Sequence, residues 1–169
     1  MHNIKTPLVR GAMLVLVITI AITSSAINFE TDPTPGDKLR KNEIKARAAR
    51  DFKGRYPNIE NERWYRYRSG FSAKYSQNQV LSNVYYDRMG FYITTIRYYK
   101  EKNIPAELKD AIYDNFNGYT IISATEVITP KESAFHFNIK NKARLKTVKI
   151  SETILEVTGD YKNGDPDIE

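Results

Sequence analysis

Between Trp64 and Thr95 the chain carries four runs of aromatic and β-branched residues, around Trp64-Tyr65, Phe71 to Tyr75, Val84 to Tyr86 and Phe91 to Thr95. Ser69-Gly70, Asn78-Gln79 and Met89-Gly90 interrupt them at hairpin spacing, so the pattern predicts an antiparallel meander. The same pattern comes back about 64 residues later, because Glu43-Ile44-Lys45 falls on Glu107-Leu108-Lys109 and Phe52-Lys53-Gly54 on Phe116-Asn117-Gly118. The offset also carries Phe71, Ala73 and Tyr75 onto Phe135, Phe137 and Ile139, and Val84, Phe91 and Ile93 onto Val148, Leu155 and Val157. An ordered series that keeps both helical and strand spacing predicts an α+β fold of two tandem α-β4 repeats, antiparallel sheets with helices packed on one face.

The chain divides accordingly. Residues 1–26 read as a signal peptide, 27–36 as an extended leader with Pro33 and Pro35, 37–102 and 103–161 as the two repeats, and 162–169 as a polar tail. The first segment has Lys5 and Arg10 ahead of a charge-free run from Ala12 to Ile22, then Ser24-Ser25-Ala26, which suits cleavage after Ala26. That run falls short of the roughly 20 residues needed to span a bilayer, so no stable membrane insertion is expected once the signal is removed. There is no cysteine, so neither disulfides nor a lipid-anchored mature N-terminus is available, and stability must come from the core. At 169 residues, 41% hydrophobic, the chain is long enough to build one. A periplasmic or secreted protein is expected.

Within the first repeat, Ile44, Ala48 and Phe52 recur every fourth residue from Asp37 onward and predict a helix ending at Gly54. Strands are expected near 62–68, 71–77, 79–87 and 91–99. In the second, Pro105 opens a helix bearing Leu108, Ile112 and Phe116, and strands follow near 119–129, 133–140, 143–150 and 153–159. Strand alternation puts Phe71, Ala73, Tyr75, Val84, Tyr86, Phe91 and Ile93 beneath the helix. The opposite side then carries Ser72, Lys74, Tyr85, Tyr92 and Thr94.

Candidate chemistry is sparse. His136 alternates with Phe135 and Phe137, so it points away from the core and reads as a surface histidine, and no Gly-x-Ser-x-Gly elbow or phosphate-binding glycine loop accompanies it. No enzyme activity, cofactor or metal centre is expected. The acidic Asp160, Asp165, Asp167 and Glu169 lack calcium-loop spacing. Arg63-Trp64-Tyr65-Arg66-Tyr67-Arg68 interleaves bases with aromatics as a single-strand nucleic-acid platform does, but it also reads as an amphipathic strand. The charge is only +6, about +4 without the two bases of the signal, and export argues against nucleic-acid binding. Asp87-Arg88-Met89-Gly90 reads as a hairpin turn. The 12 tyrosines stand out, since tyrosine is common where proteins bind proteins, although strands favour it too. Lys74, Tyr85 and Tyr92 are the expected partner-binding residues.

Phe52 through Tyr56-Pro57-Asn58, Trp64, Phe71-Ser72-Ala73-Lys74-Tyr75 and Val84-Tyr85-Tyr86-Asp87-Arg88-Met89-Gly90 together resemble the PepSY-like, β-lactamase-inhibitor-like exported proteins of Bacteroides-type bacteria. The resemblance spans about Asp37 to Tyr161. It implies helix-plus-four-strand units whose sheets join into a long curved sheet, with a concave face that grips an enzyme in the inhibitor. In that inhibitor an acid on the hairpin tip between the second and third strands enters the active site. The matching tip here, Ser76-Gln77-Asn78-Gln79, has no acid, and the inhibitor's disulfides are missing, so no inhibitory residue is carried over. Related PepSY domains restrain peptidases. The resulting expectation is a noncatalytic exported module that binds an envelope or secreted protein, with a carrier or sensor of a small ligand, held in a groove between the units, as the alternative.

Overall fold

The computed structural model describes residues 36–152 and 154–162. The expected signal peptide, all of the leader before Gly36, and the tail beyond Lys162 lie outside them.

The chain folds as β1 (Asp37–Lys38), α1 (Ala46–Arg55), β2 (Arg63–Tyr67), β3 (Gly70–Gln77), β4 (Val80–Asp87), β5 (Tyr92–Tyr99), α2 (Ala106–Asn115), β6 (Thr120–Ile128), β7 (Ser133–Lys140), β8 (Arg144–Ser151) and β9 (Leu155–Lys162). The nine strands form one antiparallel sheet in sequence order. This corrects the expected two tandem α-β4 repeats: the strands belong to one continuous nine-stranded sheet rather than to two repeated units. The finding that overturns it is the direct pairing of β5 with β6, from Thr95↔Ile128 to Tyr99↔Ala124. An unpaired strand edge leaves a row of N–H and C=O groups unsatisfied, and joining the two edges removes that cost. Asp37 and Lys38 were expected to open a helix. They add a short strand to β2 instead, pairing with Arg66 and Tyr65.

Both helices lie on one face of the sheet, over separate clusters. Under α1, Phe52 is fully buried and meets Trp64 edge-on at 5.6 Å and Tyr75 at 5.8 Å between ring centres. Ala48, Ala73, Val84 and Tyr86 complete the cluster. Under α2, Ile112 is fully buried among Ile121, Phe137, Ile139 and Val148, while Phe116 is only partly buried at the edge. The expected stop at Gly54 is displaced, since Gly54 sits inside α1 and Tyr56 closes it by donating its N–H to Phe52 O at 2.8 Å.

Asn78 and Gln79 both take positive φ, 50° and 64°, as a tight two-residue hairpin between β3 and β4 requires. A bulge in β5 opposite Tyr85 and Tyr86 shifts the register, so Tyr85 pairs with Thr94 but Tyr86 with Tyr92. This extra residue reverses the side expected for the start of β5. Tyr92, not Ile93, reaches the α1 cluster, and Phe91 is 53% exposed just before the strand with the Arg47 guanidinium 4.0 Å from its ring centre.

Candidate functional site: the open face of the sheet

The face away from the helices is set by pairing, because partners across strands share a side. Ser72 lies between Tyr65 on β2 and Tyr85 on β4, and Lys74 between Arg63 and Asn83. Thr94 and Ile96 on β5 continue the two rows past Tyr85 and Asn83. No helix among the described residues covers this face. Ser72 is nevertheless 0% exposed, Thr94 2% and Asn83 7%. Small polar side chains are sunk between half-buried tyrosines, giving a polar floor with aromatic walls.

Its electrostatics follow from that packing. The Lys74 ammonium sits 5.0 Å from the Tyr65 ring centre, a cation–π distance, and forms no ion pair among the described residues. Asn83 Nδ2 donates to the Tyr85 hydroxyl at 3.4 Å. Burial, then the neighbouring Tyr98, pushes the Tyr85 hydroxyl up, so it stays protonated and able to donate at neutral pH. Ser72 Oγ and Asn83 Oδ1 are buried without a hydrogen-bond partner among the described residues. A buried polar atom left in that state costs roughly 1–3 kcal/mol, so these two stand out in a sheet otherwise well bonded.

Of the three expected partner-binding residues, the structure brings Lys74 and Tyr85 together and places Tyr92 on the other face. There the Tyr92 hydroxyl donates to Ile128 O at 2.9 Å and lies within hydrogen-bond distance of Thr95 Oγ1 at 3.1 Å, and the Arg55 guanidinium stacks 3.8 Å from its ring centre. These contacts make it part of the packing under α1. Ser72 and Asn83 were missed as a site; alternation placed Ser72 correctly, but the unsatisfied state of Ser72 Oγ and Asn83 Oδ1 depends on neighbours from three strands.

The other candidates resolve individually. His136 lies on the open face opposite Thr125 and Lys149, and burial followed by the Lys149 charge lowers its pKa. Both effects favour the neutral imidazole, and among the described residues no carboxylate is hydrogen-bonded to it. Asp160 is engaged by Arg144 and Lys146, whose hydrogen bonds hold its carboxyl down to about 2. The remaining tail acids lie outside the described residues, among which no cluster of three metal-ligating side chains occurs. Trp64 is 5% exposed in the α1 cluster, so the Arg63–Arg68 run does not present it for stacking. At the β4–β5 turn, Asp87 Oδ1 accepts from Met89 N and Phe91 N, both at 2.8 Å, and Gly90 supplies φ 83°. A cleft of about 740 Å³ opens beside β1 and α1, lined by Lys38, Lys41, Ile44, Lys53, Glu62 and Trp64 among others. It lies at the edge of the sheet rather than between the two helices.

No family model matches the chain, and no curated protein matches it. Solved structures do share its fold. A BLIP-like protein from Bacteroides fragilis aligns with a TM-score of 0.57 at 16% identity, over 73% of this chain and 90% of its own. A DUF2874 family protein from Bacteroides ovatus aligns at 0.55 and 14% identity, over 70% and 87%. A candidate periplasmic protein from Bacteroides eggerthii aligns at 0.53 and 13% identity, over 70% and 88%. The fold is thus the BLIP-like one found in Bacteroides. Among the described residues no helix is long and apolar enough to cross a membrane.

Proposed function

We propose that this chain is a noncatalytic exported module that binds a partner protein through the open face of its sheet. The observation that supports the reading best is the tyrosine-walled face itself: among the described residues no helix covers it, Lys74 has no counter-ion, and the buried Ser72 Oγ and Asn83 Oδ1 have no hydrogen-bond partner. Tyrosine gives large contact area at small entropic cost, and a few such anchors carry most of the energy of a protein contact. The BLIP-like and periplasmic neighbours are in keeping with export and binding rather than catalysis. Restraint of an exported enzyme such as a peptidase is the specific form suggested by the PepSY-like resemblance.

The test compares partner capture from envelope extract by the purified chain and by its Tyr65→Ala/Tyr85→Ala variant. Capture of one protein by the native chain and its loss from a variant that still melts cooperatively is the expected result. Equal capture by both moves the contact elsewhere. The cleft beside β1 is the basis for the second reading, a small-ligand binder. That reading requires a ligand-dependent rise in melting temperature that survives the open-face substitutions.

A further inference from the structure

Building on the proposed use of the open face for protein binding, we infer that the segment it takes is acidic, with a partner carboxylate seated at Lys74 and in reach of Ser72 and Tyr85.

The first observation is a charge imbalance. By strand pairing the open face holds Lys38, Arg63, Lys74, Lys140 and Lys149 against Asp87 and Glu156. Asp87 lies opposite Gly70 at the far end of β3, where its Oδ1 accepts from the amides of its own hairpin, and Glu156 lies directly opposite Lys149. Among the described residues, the cations over β1 to β3 therefore have no carboxylate facing them. Arg63 and Lys74 are moreover direct cross-strand partners, and like charges at such positions repel. A bound anion between them turns that repulsion into attraction.

The second observation is independent of charge. Ser72 Oγ is a donor without an acceptor, and Asn83 Oδ1 an acceptor without a donor. A carboxylate accepts from the Ser72 and Tyr85 hydroxyls as well as from Lys74, and a main-chain N–H of the same segment supplies what Asn83 Oδ1 lacks. An acidic peptide segment carries both groups at once, which a free anion does not. Rotation of the flanking Tyr65 and Tyr85 side chains uncovers the floor, and such rotamer changes are a common accompaniment of protein binding.

The experiment pans a display library of disulfide-closed random peptides against the native protein, then measures the selected peptides against variants. Peptides enriched in Asp and Glu are expected, with binding weakened about tenfold or more in Lys74→Glu, largely kept in Lys74→Arg, and falling as salt rises. Should Lys74→Glu fail to fold, Lys74→Met keeps the stem and removes the charge, with the same loss expected. Selected peptides that lack acidic residues yet lose binding in Tyr85→Ala overturn the acidic segment while leaving the open face as the binding surface. Peptides indifferent to both Lys74 and Tyr85, or none above background, overturn both readings.

Discussion

At the scale of single residues, the polar groups that join the two helix-covered clusters are the informative ones. Glu126 is 9% exposed on β6 and accepts from Arg97 Nη1 at 3.2 Å, the Tyr99 hydroxyl at 2.7 Å and Ser133 Oγ at 3.3 Å. Burial, then the hydrogen bond to Glu126, pushes the Tyr99 hydroxyl up to about 12 from its ordinary 10.0. A pKa raised by folding means that the folded state holds the proton more tightly. The resulting stability is complete below pH 10 and is lost as pH climbs through 12. Denaturant midpoints measured across that window should therefore fall less steeply in Tyr99→Phe than in the native chain; parallel slopes would remove Tyr99 from the alkaline transition. None of this network was legible in the sequence, since Arg97, Tyr99 and Glu126 meet only through the β5–β6 pairing.

Among the elements, α1 and α2 look interchangeable by spacing but differ in what they bury. Phe52 is 0% exposed against the three aromatic rings of Tyr56, Trp64 and Tyr75, whereas Phe116 sits partly open next to Tyr119. Truncating a buried phenylalanine costs about 3–5 kcal/mol. Urea denaturation should show Phe52→Ala losing that much and Phe116→Ala roughly half, because half-buried area contributes less. Equal losses would mean that Phe116 is as enclosed as its counterpart. The sequence placed both aromatics on the inner face of a helix end. It did not reveal their different enclosure, which depends on the rings facing them from the sheet.

At the scale of the whole molecule, the β5–β6 junction decides how the chain responds to stress. Five residue pairs and the Arg97–Glu126 bridge connect the half around α1 to the half around α2. A sheet continuous through that junction should unfold as one cooperative unit. Trp64, the single tryptophan, reports the α1 cluster, while far-ultraviolet circular dichroism reports all nine strands. Coincident transitions by the two probes are expected; separate midpoints would show that the halves melt independently.

The sequence alone determined the local pieces of this protein. Alternating aromatic and β-branched runs, with Ser69-Gly70, Asn78-Gln79 and Met89-Gly90 between them, located the strands and turns from β2 to β5, and four-residue spacing located the inner faces of both helices. These features are set by interactions between near neighbours along the chain. Tertiary structure decided the rest: that the strands join in one sheet, that Asp37 and Lys38 pair with β2, and that one extra residue in β5 turns Tyr92 toward α1, away from the face that holds Lys74 and Tyr85. Each of those outcomes depends on which strand edges meet and in what register. Backbone hydrogen bonding fixes that choice between segments far apart in sequence, and side-chain periodicity within one segment carries no record of it.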